Sequence, residues 1–438
     1  MRRWKRIWAC GAPLVLQAAW PMLACSQTPV QEPAAAPVVT YVEEAPCMTC
    51  VEPRTKLTGD WYGYRPSLAE RGITFDYDQT MVYQGVTHGG REEGFAFGGH
   101  GDYVTNFDFG KLGIQEGLML KLRAEHRYGD IAPTGSLLPA ALVVNLPKSD
   151  VEDLVLTNVL LTQFLSEEFA VFAGKMDTLD GDMNAFAHGR GKDQFLNSAF
   201  VFNPIAARGI PYSTLGAGFV VLSDLQPIFT FTVLNAVDTT TTSGFDNLFE
   251  EGVALSAQLR LPTEFFGLPG HQLLGGIWNS REFTALNQDP RVVLPDANIP
   301  IATENGTWCL FWNTDQYLVT DPCDPTRGWG VFARAGISDA DPNPLAYFLS
   351  AGIGGNSPWE GREADTFGVG WFYSGLSNDL GPLVETILQP HDGQGVELFY
   401  NYAVTPYFHL TPDIQILEPS LGQFDTTTVV GLRGKLDF

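Results

Sequence analysis

Between Gly117 and Gly129 the sequence alternates strictly. Leu118, Leu120, Leu122 and Ala124 fall on one face of an extended chain, and Met119, Lys121, Arg123, Glu125 and Arg127 on the other. A row of charged side chains has two uses. It can form an ion-pair ladder that holds a wall together. It can also offer paired donors and acceptors to a solute rich in hydroxyls, each of which donates and accepts. Arg123 supplies several fixed donors, and Glu125 supplies acceptors two residues away on the same face. Such a row cannot face lipid, where Arg or Lys costs about 2–4 kcal/mol at the midplane. If the apolar face meets a membrane, the charged face lines a water-filled lumen. Further inward candidates are Asp76, Asp78, Asp102, Asn106, Asp108, Gln258, Arg260, Asn313, Asp315, Arg334, Glu397, Asn401, Asp413, Gln415, Arg433 and Lys435.

A second concentration of chemistry lies in Thr178–Ser213, the longest stretch without alternation. It holds Asp180, Asp182, Asn184, His188, Arg190, Lys192 and Asp193. Asp180-Gly-Asp182-Met-Asn184 faintly resembles a calcium loop, but the EF-hand order and its distal Glu are missing. No metal or cofactor is expected. No Gly-x-Ser-x-Gly elbow occurs, and the His residues do not gather with Ser or carboxylates along the chain, so an enzyme is not expected.

The elements that position these residues are short strands. Segments of about ten residues alternate apolar and polar between Gly, Pro, Asp and Asn, the pattern of a transmembrane barrel. The candidates are Ile73–Val86, Gly99–Lys111, Gly117–Gly129, Val155–Leu165, Phe169–Asp177, Thr214–Ser223, Ile228–Ala236, Glu251–Leu261, Gln272–Phe283, Trp308–Leu318, Gly328–Ser338, Leu345–Gly355, Asp365–Gly375, Gly395–Val404, Tyr407–Leu417 and Asp425–Phe438. They number sixteen, an even count as a single-chain barrel requires. With a periplasmic N-terminus, connections after odd strands face outside and are mostly the longer ones. The last strand places Val430, Leu432, Gly434, Leu436 and Phe438 on one face and Arg433, Lys435 and Asp437 on the other. A terminal Phe suits an outer-membrane barrel. Aromatic girdles are expected from Phe107 and Phe109, Trp308 and Trp312, Trp371 and Tyr373, and Tyr400 and Tyr402.

Composition agrees. The 438 residues include 50 acidic and 26 basic, for a net charge of −24, with 17% charged and 12% aromatic. That balance excludes a nucleic-acid binder, which needs a basic footprint. Residues 1–26 read as a signal peptide: a basic start to Arg6, an apolar run from Ile7 and a small-x-small end at Ala24-Cys25-Ser26. A lipidated Cys25 is the rival reading. Residues 27–56 read as a Pro-rich acidic linker carrying Cys47 and Cys50. Residues 57–72 read as a short amphipathic helical segment, with Trp61, Tyr64 and Leu68 at helical spacing, before a barrel over 73–438. Cys309 and Cys323 fall at opposite ends of one strand. Fourteen extended residues span roughly 45 Å, beyond the ~7 Å between Cα atoms that a disulfide reaches.

Several motifs are similar to those of the OprB-type carbohydrate-selective porins. Gly59-Asp60-Trp61-Tyr62-Gly63 with Leu68–Ile73 resembles that family's opening. Phe169–Asp177 followed by Phe195-Leu196-Asn197-Ser198, Asp315–Leu318 with Arg327–Phe332, and Gly395–Pro406 with Leu410–Gln415 continue the resemblance. One departure is Glu418-Pro419, where the family often has Asn-Pro. The resemblance implies a sixteen-stranded all-β outer-membrane channel that passes sugars by diffusion, set in outer-membrane lipid and often a homotrimer. A general or ion-selective porin of the same fold remains the alternative. By analogy with sixteen-stranded porins, the Thr178–Ser213 loop folds inward, making Asp180, Asp182, Arg190 and Lys192 constriction candidates. Lys121, Arg123, Glu125, Arg127, Arg334, Glu397 and Asn401 are the wall candidates for solute contact.

Overall fold

The computed structural model describes residues 54–90, 92–129, 153–293, 299–321, 324 and 326–438. The signal segment, the linker with Cys47 and Cys50, most of the 130–154 connection and Cys323 lie outside the described residues. Alternating sequences become strands because successive side chains point to opposite faces. Among the described residues there are sixteen: β1 Ile73–His88, β2 Gly94–Asp108, β3 Leu118–Gly129, β4 Val155–Phe164, β5 Phe169–Asp177, β6 Ser213–Ser223, β7 Gln226–Asn235, β8 Val253–Phe265, β9 Leu268–Thr284, β10 Thr303–Thr320, β11 Gly328–Ser338, β12 Leu345–Asn356, β13 Thr366–Leu376, β14 Gly393–Thr405, β15 Phe408–Glu418 and β16 Thr427–Asp437. Each pairs antiparallel with its neighbours in sequence, and β16 returns to β1 with Asp78 opposite Asp437, closing the barrel. Closure leaves no unpaired edge, which is what lets strands cross a bilayer. No described helix is long and apolar enough to cross a membrane.

The outer wall exposes Leu274, Leu310, Ile337, Leu398, Ile416 and Leu432. Between them, facing in, are buried Leu273, Phe311, Arg334, Glu397, Gln415 and Arg433. Apolar outside and mixed polar inside is the pattern of a barrel in lipid. The connections at 165–168, 224–225, 266–267 and 406–407 are short and share an end with both termini, which is the periplasmic end. There Leu57 donates its amide to the Asp437 carbonyl at 2.7 Å, and Arg65 donates to the Phe438 carbonyl at 2.9 Å.

Several strand boundaries differ from the sequence reading, β2 and β10 each beginning five residues earlier. β8 and β9 run on to Phe265 and Leu268 and meet in a two-residue turn. Pro262 and Pro269 read as breakers, yet both are tolerated within this hairpin, with Pro262 opposite His271. The N-terminal segment also differs. Helix α1 covers only Tyr64–Glu70, has no buried residue, and starts after Gly63. Trp61 and Tyr62 instead adopt left-handed backbone, φ 55° and 58°. Trp61 packs on Phe75 with ring centroids 5.4 Å apart, and Arg65 lies 4.4 Å from its ring centre. Asp108 closes the β2–β3 turn by accepting from the amides of Gly110 and Lys111 rather than projecting into the lumen.

Candidate functional site

The connection 178–212 turns into the barrel. Its local shape comes from side chains that accept hydrogen bonds from nearby amides. Asp177 accepts from Leu179, Asn184 from Phe186 and Ala187, and Asn197 from Ala199 at the start of helix α2, Ser198–Val201. Asn203 does the same for Ile205 at 3.4 Å.

One side of this inward loop is packed against the wall of β11–β14. Phe186, Phe195 and Phe200 are buried with Phe332, Phe348, Phe372 and Phe399. The wall admits them because inward positions there are glycine. A Cβ on Gly330 would stand 2.7 Å from the Phe186 ring, on Gly368 2.7 Å from Phe195, and on Gly370 2.5 Å from Phe200. Buried polar and charged side chains then fix the loop. Arg334 donates to Asp182 at 2.9 Å and to the carbonyls of Phe200 at 2.8 Å and Ala187 at 2.5 Å. Glu397 accepts from the amides of Leu196 at 2.6 Å and Asn197 at 2.9 Å. Asn401 donates to the Asp193 carbonyl at 3.1 Å, and Arg433 to the carbonyls of Gly191 and Gln194. Lys435 meets the Asp193 carboxylate at 2.6 Å. Desolvation pushes that carboxyl up, but Lys435, Arg433 and Lys192 hold it below its usual value.

The other side of the loop meets β1–β3 and β5 through charge. Arg123 is 7% exposed and pairs with Asp102 at 3.3 Å and with Asp177 and Asp180 at 2.8 Å. Arg190 reaches back to Glu125 at 2.9 Å and to Asp177 and Asp180 at 2.7 Å. It does so from left-handed backbone, φ 54°, between two glycines. Tyr212 donates to Glu125 at 3.1 Å, and His100 and Thr157 also contact that carboxylate. Lys192 joins Asp78 at 3.0 Å and Asp102 at 2.5 Å. Lys121 meets Asp180 at 3.1 Å where both side chains stay about a third exposed, 34% and 35%. Desolvation raises the Asp180 carboxyl, but Arg190, Arg123 and Lys121 outweigh it and hold the group well below the usual carboxylate range.

The candidate residues therefore divide into two sets. Lys121, Arg123, Glu125, Asp180, Arg190 and Lys192 form one network. Asp182, Arg334, Glu397 and Asn401 belong to the packed side. Arg127 is partly buried on the inward face of β3. Asp180, Asp182 and Asn184 diverge: Asp182 turns to Arg334 and Asn313, and Asn184 donates to Asn313 and the Thr314 carbonyl. They form no ligand set, and among the described residues no cluster of His, Cys, Asp and Glu could hold a metal. Asp177 and Tyr212 are central to the network but were not singled out from sequence. They sit at the two ends of the loop, where alternation stops. The glycine sockets carried no signal, because inward Gly in a strand reads only as weakness.

Space remains beside the charged network. A cavity of about 280 Å³ is lined by Lys121, Asp180, Met183, Thr230, Gln258 and Arg260, with Leu160 and Phe172. A second, of about 240 Å³, is lined by Leu179, Phe202, Ile277 and Phe311 and shares Thr178, Ile210 and Gln258 with the first.

A closed antiparallel barrel with an apolar outer wall, a polar lumen and an inward-folded loop defines an outer-membrane porin. The family model for the carbohydrate-selective porins, OprB family, matches residues 92–438, and the chain belongs to that family. It is similar to the high-pH structure of Pseudomonas putida OprB, with a TM-score of 0.73 and 19% identity over 88% of this chain and 99% of that one. The low-pH structure of the same protein has a TM-score of 0.55 and 17% identity over the same shares. No curated protein sequence matches the chain. The protein is thus a sugar-passing porin of the bacterial outer membrane.

Proposed function

We propose that neutral mono- or small oligosaccharides diffuse passively through the gap between the inward loop and the β3–β9 wall. The observation that carries this reading is the near balance of charge beside an apolar surface. Lys121, Arg123, Arg190 and Lys192 face Asp78, Asp102, Glu125, Asp177 and Asp180. Four cations against five carboxylates leave little net charge to trap an ion, while Lys121, Asp180, Gln258 and Arg260 supply both donors and acceptors. Leu160, Phe172 and Met183 offer apolar contact to a sugar ring.

In this reading Lys121 and Asp180 touch solute. Arg123, Glu125, Arg190 and Lys192 set the loop's position, as do Asp182, Arg334, Glu397 and Asn401 from the packed side. Arg127 extends the polar wall. No catalytic step is proposed. The same reading takes residues 1–26 as a cleaved signal, 27–56 as a linker and 57–438 as the channel, assembled as a homotrimer. Liposome swelling with sugars of graded size, beside planar-bilayer conductance, tests it. Size-graded sugar entry with weak ion preference is expected. Strong ion preference without sugar entry would favour an ion-selective porin.

A further inference from the structure

The arginines of the lumen are not all paired. Arg123, Arg190 and Arg334 are each held by carboxylates. Three arginines on the β8–β9 side are not. Arg208 ends the short turn Pro204–Arg208 of the inward loop, and Arg281 lies near the outer end of β9. Asn279 ties the two stretches together. Its side chain donates to the Gly209 carbonyl at 3.0 Å and accepts from the Arg281 amide at 2.8 Å. Both guanidinium groups lie against the Phe283 ring, 5.0 Å and 4.5 Å from its centre. The ring steadies the two charges but gives their N–H donors no oxygen to meet. Among the described residues neither has an ion pair, and the Nε of each is buried without a hydrogen-bond partner.

Arg260 stands further in on the same side. It lines the first cavity with Gln258, which also borders the second. Its Nε is likewise buried without a partner. Asp315, the acid whose charge reaches it, is held by His271 at 2.8 Å. Ile277, below Arg281 on β9, lines the second cavity, and the first extends to Pro227 beside the periplasmic turn 224–225. From the outside inward the order is therefore Arg281 with Arg208, the second cavity, Gln258, and the first cavity with Arg260.

We propose, on the reading that solute passes between the loop and the β3–β9 wall, that these unpaired arginines make the channel a path for singly charged sugar acids. An aldonate or uronate is captured at Arg208 and Arg281 and passed on to Arg260. Two features select that class. A carboxylate gives a guanidinium two acceptors in fork geometry, and the hydroxyls of the same molecule supply acceptors to the second arginine and to Gln258. Beside the route, Arg123 is already matched by Asp177 and Asp180, so that wall adds no free cation to trap a multiply charged ion. A monoanion rich in hydroxyls is drawn in at the outer arginines and released.

The test is planar-bilayer recording of the full-length protein at neutral pH, with sodium glucuronate, glucose or inorganic phosphate on the outer side, beside liposome swelling with glucose. Glucuronate is expected to interrupt the ion current at about tenfold lower concentration than glucose, as one charge-assisted hydrogen bond provides. It should also carry current itself, read as a shift of the reversal potential in a glucuronate gradient. Arg208→Gln and Arg281→Gln should each bring glucuronate block towards that of glucose, and Arg281→Lys, which keeps the charge, should restore part of it. Glucose swelling should be unchanged in these three variants. Should the glutamine variants fail to reach the heat-modifiable barrel, salt reads the same charge in the wild type, where the preference should shrink as ionic strength rises. Equal block by glucuronate and glucose, a preference untouched by the variants or by salt, or phosphate block as tight as that of glucuronate overturns the proposal while glucose still enters. A wild-type channel closed to glucose would instead defeat the underlying path, and this proposal with it.

Discussion

The two sides of the inward loop are held by different physics. Against β11–β14, Phe186, Phe195 and Phe200 enter glycine sockets, and Arg334 and Glu397 bond to the loop's own backbone. Against β1–β3 and β5, nearly every contact is an ion pair, and the network reaches water at Lys121 and Asp180. Close packing fixes one geometry, because a filled socket has no second arrangement of similar energy. Charges beside water tolerate exchange of partners. The packed side therefore holds the loop to one geometry, and the charged side, whose buried Arg123, Glu125, Arg190 and Lys192 also position it, is open to solute at Lys121 and Asp180.

Breaking the packed side should have the largest effect. Phe200→Ala empties a socket and should cost about 3–5 kcal/mol, as truncation of a buried Phe does. Gly370→Val should act in the same direction, since its first side-chain atom would stand 2.5 Å from the Phe200 ring. Both should lower the temperature of the heat-modified gel shift and raise single-channel conductance. Unchanged conductance would mean that the loop does not depend on its sockets.

Arg190→Ala comes next. It strips a cation from Glu125 and Asp177, both buried. The cost should fall below the about 3–5 kcal/mol of a fully broken buried pair, because Arg123 still faces Asp177 and Asp180. The same heat-modified shift measures it, and a loss as large as that of Phe200→Ala would erase the distinction between the two sides.

Acid is a milder probe. The Asp180 carboxyl is held well below its usual value in the folded protein. Its stabilising contribution is then complete above the unfolded carboxylate value of about 3.9 and is lost only as pH falls through the lower folded value. Conductance should be steady from neutral pH to about 4, then change, and Asp180→Asn should remove the Asp180 part of that change. Opening near pH 6 would point to another group.

Lys121→Gln should have the smallest effect on stability, within about 1 kcal/mol for a pair so exposed. It should nevertheless alter sugar flux, measured by liposome swelling, because Lys121 borders the open cavity. Altered stability with unchanged flux would return Lys121 to a purely structural role.

The difference between the two sides also explains what the sequence reveals. The inward face of β3 is legible because Lys121, Arg123, Glu125 and Arg127 repeat at the strand period and cannot face hydrocarbon. The loop is legible as the longest stretch without that period. Which of its residues meet β3 and which meet β11 is not, since Asp180 and Asp182 are two residues apart yet turn to Arg123 and Arg334 on opposite walls. The sockets are hidden for a related reason. Gly330, Gly368 and Gly370 only acquire meaning from phenylalanines more than a hundred residues earlier in the chain. Pro262 and Pro269 hide only the ends of β8 and β9 next to their turn, because local propensity there opposes what closure of the barrel demands.

The central claim is that solute passes on the charged side, between the loop and the β3–β9 wall. Gln258 lines both cavities there. Liposome swelling with a neutral hexose should fall severalfold in Gln258→Trp, while the heat-modified gel shift stays at its wild-type temperature. Hexose entry at the wild-type rate in that variant would contradict the account and place the path elsewhere in the lumen.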